Sequence, residues 1–229
     1  QKWDGALLGD GWRITVTDSA RHTRVWPSPV EPGPRSLHST IYDPVGDRLV
    51  LFGGAWGGGG TGGYQMLNDV WALSLAGTSV WTPLLPAGRA PAARDGHVAV
   101  YDPAGHRMVI FGGNTGPVLL ADTWALSLGD APAWDSLAAL GPLPDARFTH
   151  AGVFDPVRGR LVVLDGAEGW WTLFGDAWSL PLAGAPQWAL EHAGGAGSLP
   201  RPNLPSGFYD PPRRRLVVFS DVGGLWELP

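Results

Sequence analysis

The chain contains no cysteine. That excludes a disulfide framework and any thiolate metal site, and it is compatible with every compartment. Charge is scarce as well: Asp, Glu, Lys and Arg make up 16% of the 229 residues, below the usual ~25%. The balance is mildly acidic at −5 with no basic stripe, which argues against a nucleic-acid partner. The single cationic run, Arg213-Arg214-Arg215, reads as the solvated end of a hairpin. No apolar run approaches the ~18 residues of a membrane-spanning helix, so no membrane insertion is expected. Helical periodicity is missing throughout. The chain opens at Gln1 without a signal-peptide pattern. A mature secreted protein, a released domain and an engineered expression product all fit, with an extracellular or periplasmic location favoured.

What the chain does have is 34 Gly, 22 Pro and 13 Trp on a 44% hydrophobic background. Disordered chains lack such apolar and aromatic content, so the Gly and Pro read as turn chemistry in a folded protein.

Internal repetition is the main signal. Tyr42-Asp43-Pro44 returns as Tyr101-Asp102-Pro103, Phe154-Asp155-Pro156 and Tyr209-Asp210-Pro211, in steps of 59, 53 and 55 residues. An apolar run follows each one: Arg48 to Gly54, Arg107 to Gly113, Arg160 to Gly166 and Arg215 to Asp221. Asp69-Val-Trp71, Asp122-Thr-Trp124 and Asp176-Ala-Trp178 come next, worn to Leu225-Trp226 in the last copy. A second Trp follows ten residues later, at Trp81, Trp134 and Trp188, and an Arg 13 residues after that, at Arg94, Arg147 and Arg201.

Each unit reads as four strands. His97 to Tyr101 is β-rich and Asp102 to Gly105 is a turn. Met108 to Phe111 is a short apolar run broken by Gly112-Gly113, and Trp124 to Leu128 alternates before the Trp134 segment closes the unit. Four short strands every ~50 residues predict an all-β propeller of four-stranded antiparallel blades. One such sheet cannot hide both of its faces, whereas sheets packed around an axis cover each other.

With the Arg-x-x-His lead-in (Arg35/His38, Arg94/His97, Arg147/His150), the Gly-Gly doublet and the spaced Trp pair, the sequence resembles a kelch repeat, in the form common in large bacterial proteins. The resemblance covers about residue 12 to the end. The fourth unit departs from it, with Pro205 at the His place and Ser220-Asp221 for Gly-Gly. One propeller domain is expected: partial blade strands over 1–34, full repeats over 35–93, 94–146 and 147–200, and a partial repeat over 201–229. Trp12 to Val16 and Arg24 to Trp26 resemble third and fourth strands. Trp26 completing the last blade gives four blades, the N-terminal stretch as an incomplete blade gives five, and a piece of a longer propeller is the third option; five is favoured.

In a four-stranded meander the loops entering the first strand (d–a) and joining the second to the third (b–c) lie on one face. The kelch resemblance implies that this face binds ligand. Arg35, Arg94, Arg147 and Arg201 fall there. One reading is a cationic ring for an acidic peptide or carboxylated sugar. The other, which their repetition favours, is that each bonds backbone carbonyls or a neighbouring blade's carboxylate.

Residues that do not repeat are the better binding candidates: Trp56 and Tyr64 in the glycine-rich loop 55–64, Asn114, and Glu168, Trp170 and Trp171 in the third unit. Packing of some of these Trp against a blade is the competing reading. Gly57 to Gly60 lacks the Lys-Ser/Thr ending of a phosphate loop. His38, His97 and His150 sit at a repeat position and read as structural, so no metal is expected.

No Gly-x-Ser-x-Gly or His-Glu-x-x-His motif is present. The recurring Asp43, Asp102, Asp155 and Asp210 read as turn residues. Galactose oxidase, a kelch enzyme, needs a Tyr–Cys cross-link that the missing Cys excludes. The reading is therefore a non-catalytic, cofactor-free binding or scaffolding module for a protein or peptide. The alternatives are a carbohydrate-binding or mutarotase-like protein, and a structural subunit that self-associates through an incomplete blade edge.

Overall fold

Turn chemistry cuts the chain into hairpins, and the hairpins build one sheet per repeat. The computed structural model describes residues 11–15, 21–25, 30–57, 64–169, 172–193, 206–220 and 224–228. β1 (Gly11–Thr15) and β2 (Arg21–Val25) form a two-stranded ribbon. Blade 1 is a meander of β3 (Ser39–Asp43), β4 (Arg48–Phe52), β7 (Val70–Ser74) and β8 (Trp81–Leu84). Its b–c loop carries a small extra hairpin, β5 (Ala55–Trp56) and β6 (Gln65–Met66). Blade 2 is β9 (Val98–Asp102), β10 (Arg107–Asn114), β11 (Leu119–Ser127) and β12 (Trp134–Ser136). Blade 3 is β13 (Ala151–Asp155), β14 (Arg160–Leu164), β15 (Ala177–Pro181) and β16 (Ala189–His192). The last sheet has three strands, β17 (Ser206–Asp210), β18 (Arg215–Ser220) and β19 (Gly224–Leu228).

All pairings within the sheets are antiparallel, and the described residues contain no helix. The first strands of successive blades neighbour one another, so they line the axis. Among the described residues neither β1 nor β2 pairs with β19. Trp26, proposed above to complete the last blade, lies outside the described residues. No helix there is long and apolar enough to cross a membrane.

Each a–b turn is built on its aspartate. The Asp43 carboxylate accepts the backbone N–H of Val45 (3.1 Å) and Gly46 (3.2 Å) and the Arg48 Nε–H (2.9 Å). Asp102 and Asp155 repeat the arrangement with Arg107 and Arg160. Burial disfavours charge on Asp43, but these donors outweigh it and hold the carboxyl below its usual range. The second arm of the arginine stitches blades together: Arg48 donates to the Leu128 carbonyl of blade 2 and Arg107 to Leu182 of blade 3, both at 2.6 Å.

The core lies between blades, as facing apolar sheets require. Ile41, Val50, Phe52 and Val70 pack with Met108, Ile110, Leu126 and Trp134. Val98, Val100, Val109 and Phe111 meet Leu161, Val163, Leu180 and Trp188, and Val153 and Leu164 meet Leu216 and Val218. In the first two interfaces the b-strand Phe ends in a shared place. Phe52 meets His97 and Trp134 at 5.1 and 4.9 Å between ring centroids; Phe111 meets His150 and Trp188 at 5.4 and 4.8 Å. Such tilted aromatic contacts add about 0.5–1.5 kcal/mol each beyond the area they bury.

Candidate functional site

Backbone bridges bring the d–a and b–c loops together on one face: Ser36 with Ala55, Asp95 with Asn114, and Phe148 with Ala167. Nearer the axis a chain of amide bonds runs from blade to blade, Gly96 N–H to the Leu37 carbonyl (2.9 Å) and Thr149 N–H to the Gly96 carbonyl (2.7 Å).

The arginines of this face are committed to the fold. Arg94 is fully buried; its guanidinium grips the Asp122 carboxylate through two nitrogens (2.6 and 2.9 Å) and also donates to the Gly112 carbonyl (3.0 Å). Arg147 repeats this with Asp176 and the Asp165 carbonyl, and Arg35 with Asp69 and the Gly53 carbonyl. The partner is the blade's own carboxylate rather than a neighbouring blade's, because the Asp opens the third strand directly beside the Gly-Gly break. Each carboxylate also accepts the indole N–H two residues on, from Trp71 (2.6 Å), Trp124 (2.7 Å) and Trp178 (2.7 Å). Burial works against charge on Asp69 and Asp122, yet the guanidinium and the indole hold both below the usual carboxylate range. Arg147 also lies 4.2 Å over the Phe174 ring. Arg201 lies outside the described residues.

His97 and His150 are buried aromatic spacers, whereas His38, at the same repeat position in blade 1, is exposed. Burial first, and then the neighbouring positive charge, pushes His97 and His150 down to about 3, so both are neutral at pH 7. His97 Nε2 lies 2.7 Å from Ser39 Oγ of blade 1. The same place in blade 2 is Val98, and neither ring nitrogen of His150 has a hydrogen-bond partner.

The non-repeating candidates divide. Trp56 and Tyr64 are 52% and 62% exposed at the end of the β5–β6 hairpin; the b–c loops of blades 2 and 3 pair at the same place, Asn114 with Leu119 and Ala167 with Leu173. Glu168 is exposed on the blade 3 loop; Asn114 is half-buried, its backbone bridging Asp95 and its Oδ1 accepting the Gly116 N–H at 2.8 Å. Trp170 and Trp171 lie outside the described residues.

Two groups escaped the sequence reading. Asp69, Asp122 and Asp176 were visible in the repeat, two residues before each first Trp, yet carried no assigned role, and their distance from the arginine each binds varies, 34, 28 and 29 residues. Asp165 stands where blades 1 and 2 have Gly53 and Gly112. A Cβ on Gly53 meets His97 Cε1 at 3.1 Å, and one on Gly112 meets His150 Cε1 at 2.9 Å. In each case the carbonyl of the arginine in the following blade is closer still, at 2.9 and 2.8 Å; the fourth repeat carries Pro205 where the others carry that His. Asp165 is buried at φ 56°, one oxygen accepting the Gly175 N–H (2.8 Å) and the other unpartnered; burial pushes it up to about 6.

Comparison with known proteins agrees with this architecture. The KLHDC2/KLHL20/DRC7 Kelch-repeats domain matches residues 4–201. Serine/threonine-protein phosphatase BSL2 of Arabidopsis thaliana is 33% identical over 175 residues, 68% of this chain and 17% of the relative. Dynein regulatory complex subunit 7 of Chlamydomonas reinhardtii is 34% identical over 113 residues, 48% of this chain and 9% of the relative. This chain thus spans less than a fifth of either protein. The solved structure of YjhT superposes with a TM-score of 0.69 at 14% identity, covering 91% of this chain and 65% of that one. The chain belongs to the kelch-repeat family and folds as a β-propeller of four-stranded blades.

Proposed function

We propose that this chain is a non-catalytic module that grips a protein or peptide through the d–a and b–c loop face of blade 1. Kelch-repeat domains are generally non-catalytic binding domains. The observation that carries the reading is the pair Trp56 and Tyr64, large aromatics held half-exposed or more on the b–c hairpin of blade 1, where blades 2 and 3 have Thr115 and Glu168 at the place of Trp56. Aromatic side chains supply much contact area at little conformational cost, and they dominate binding hot spots. Leu37, also partly exposed, enters the same face from the d–a loop of blade 1. The arginines act as architecture beneath this surface, since their charge is already met by Asp69, Asp122 and Asp176.

The test is a selection of a random-peptide library on the purified chain, with a panel of neutral and acidic saccharides titrated against its Trp fluorescence in parallel. Peptides that bind the chain reproducibly, with no saccharide response, support the proposal. Saturable saccharide binding with no selected peptide contradicts it and favours the carbohydrate alternative.

A further inference from the structure

The turn joining the first two strands of a sheet is alike in blades 1 and 2 and altered in blade 3 and the last sheet. Three residues after its aspartate, Gly46 and Gly105 leave room for the ion pair of the turn. A Cβ on either would meet the arginine Nε at 2.7 Å and the aspartate Oδ2 at 2.8 Å. Arg158 and Arg213 hold that position in the other two turns, and each reaches its own aspartate through Nη1, at 3.2 and 3.1 Å. The contact that every repeat makes is looser there. Arginine Nε to aspartate is 2.9 and 2.8 Å in blades 1 and 2, but 3.1 Å from Arg160 to Asp155 and 3.4 Å from Arg215 to Asp210. Arg214, the next residue, stands at φ 54°, in the left-handed region that bulky side chains rarely adopt. Turn closure calls for none of Arg158, Arg213 and Arg214.

The two altered turns emerge side by side. β13 and β17 are neighbouring first strands, and Gly207 of β17 lies so near β13 that a Cβ there would meet Val153 Cγ2 at 2.7 Å. The turns and the strands they open carry Arg158, Arg160, Arg213, Arg214 and Arg215 against Asp155 and Asp210, with Glu191 of β16 pairing Arg160. The aspartates lie beneath, Asp155 buried and the Asp210 side chain 12% exposed. The guanidiniums lie above them. The Arg158 and Arg213 side chains are 50% and 65% exposed, and the exposed Arg214 makes no ion pair among the described residues. Positive charge therefore faces outward here, on a chain of net charge −5. The run 213–215 supplies only part of it, because Arg158 joins from the preceding repeat.

We infer that the a–b turns of blade 3 and the last sheet form a docking surface for an acidic segment of a partner protein. An exposed guanidinium matches a carboxylate in geometry as well as in charge. The surplus is three side chains, whereas a DNA-binding surface neutralises about 6–10 phosphates, so the surface fits a short acidic stretch rather than a nucleic acid. The acidic remainder of the chain repels the same partner, which favours approach to this one surface. It lies on the face opposite the loops of the proposed binding function, so the two readings stand or fall separately.

Fluorescence anisotropy of a labelled oligoglutamate peptide titrated with the purified chain tests it. Saturable binding is expected, weakening at least tenfold as salt rises from about 50 to about 300 mM. The double variant Arg158→Gly/Arg213→Gly puts back the residue that blades 1 and 2 carry and is expected to weaken binding at least tenfold. Arg89→Ser, which removes an exposed arginine from the d–a loop between blades 1 and 2, is expected to leave it within twofold. Thermal melts check that the variants fold. If the double variant does not, Arg214→Asn replaces it, with at least a threefold weakening expected, since Asn tolerates the left-handed backbone. The inference is overturned by a wild type that shows no saturable binding, or by turn variants that bind as the wild type does. A loss of the same size with Arg89→Ser, or tighter binding of a DNA duplex than of oligoglutamate, overturns it as well.

Discussion

His150 stands edge-on to Phe111 with both ring nitrogens unpartnered, whereas His97, one blade earlier, meets Ser39 Oγ at 2.7 Å. The difference traces to one position, Ser39 in blade 1 and Val98 in blade 2. A Thr at 98 keeps the shape of Val and places a hydroxyl in the strand position from which Ser39 reaches its histidine. Burying an unpaired hydroxyl ordinarily costs about 1–3 kcal/mol. Val98→Thr is expected to change stability by less than about 1 kcal/mol in either direction, because the hydroxyl and His150 Nε2 satisfy each other. Urea unfolding measures this, and a loss above about 2 kcal/mol contradicts it.

The buried histidines make the fold acid-sensitive. Both are pushed to about 3, so between pH 6.5 and 3 the unfolded chain binds two protons that the folded chain refuses. Their stabilisation is present above pH 6.5 and is lost as pH falls through that window. Asp165, pushed up to about 6, acts oppositely: below pH 6 the folded state takes a proton before the unfolded one does. His38, lowered, adds to the histidine effect and Asp95, raised, adds to that of Asp165, so the net expectation between pH 6 and 4 is a loss on the order of 1 kcal/mol per pH unit. A melting temperature flat from pH 7 to 5 contradicts it.

Asp165→Asn is expected to stabilise the protein at pH 8. The amide keeps the oxygen that accepts the Gly175 N–H, removes a buried charge whose other oxygen has no partner, and tolerates the left-handed backbone. The penalty it relieves is full above pH 6 and fades towards pH 4. The gain in melting temperature is therefore larger at pH 8 than at pH 5, and equal gains at both contradict the electrostatic account.

Arg94→Ala and Arg147→Ala are predicted to damage the fold rather than only a binding surface. Each strips a buried guanidinium from a carboxylate and a carbonyl at once. Breaking such a pair costs about 3–5 kcal/mol when both partners are buried, and the half-exposed Asp122 places Arg94 towards the lower end. Lys in place of Arg rescues poorly, since it cannot grip two oxygens and a carbonyl together. Circular dichroism melts within a degree or two of wild type contradict this.

Most of the fold was legible because every blade repeats the same physical solution. Asp43 to Arg48 closes a turn, Arg48 to Phe52 gives a strand buried on both faces, and Trp71 and Trp81 mark the outer strands. The site was less legible. The spacing of Arg94 from the preceding Trp134-type position was plain in the sequence, but its bond to Asp122, 28 residues on, depends on the b–c loop folding back beside the d–a loop. Asp165 was hidden for a different reason: it departs from the repeat, standing where blades 1 and 2 have glycine. Exposure, which separates Trp56 from the equally aromatic but buried Trp188, depends on what packs against each ring, and composition carries no trace of that.

The central claim is that the loop face of blade 1 is the binding surface. Its most direct test is the dissociation constant of a library-selected peptide for the wild type, Trp56→Ala, Tyr64→Ala and, on the opposite face, Val45→Ser. The account predicts at least a tenfold weakening for each aromatic variant and no change for Val45→Ser, whose side chain is exposed at the a–b turn. Equal affinity across all four proteins contradicts it.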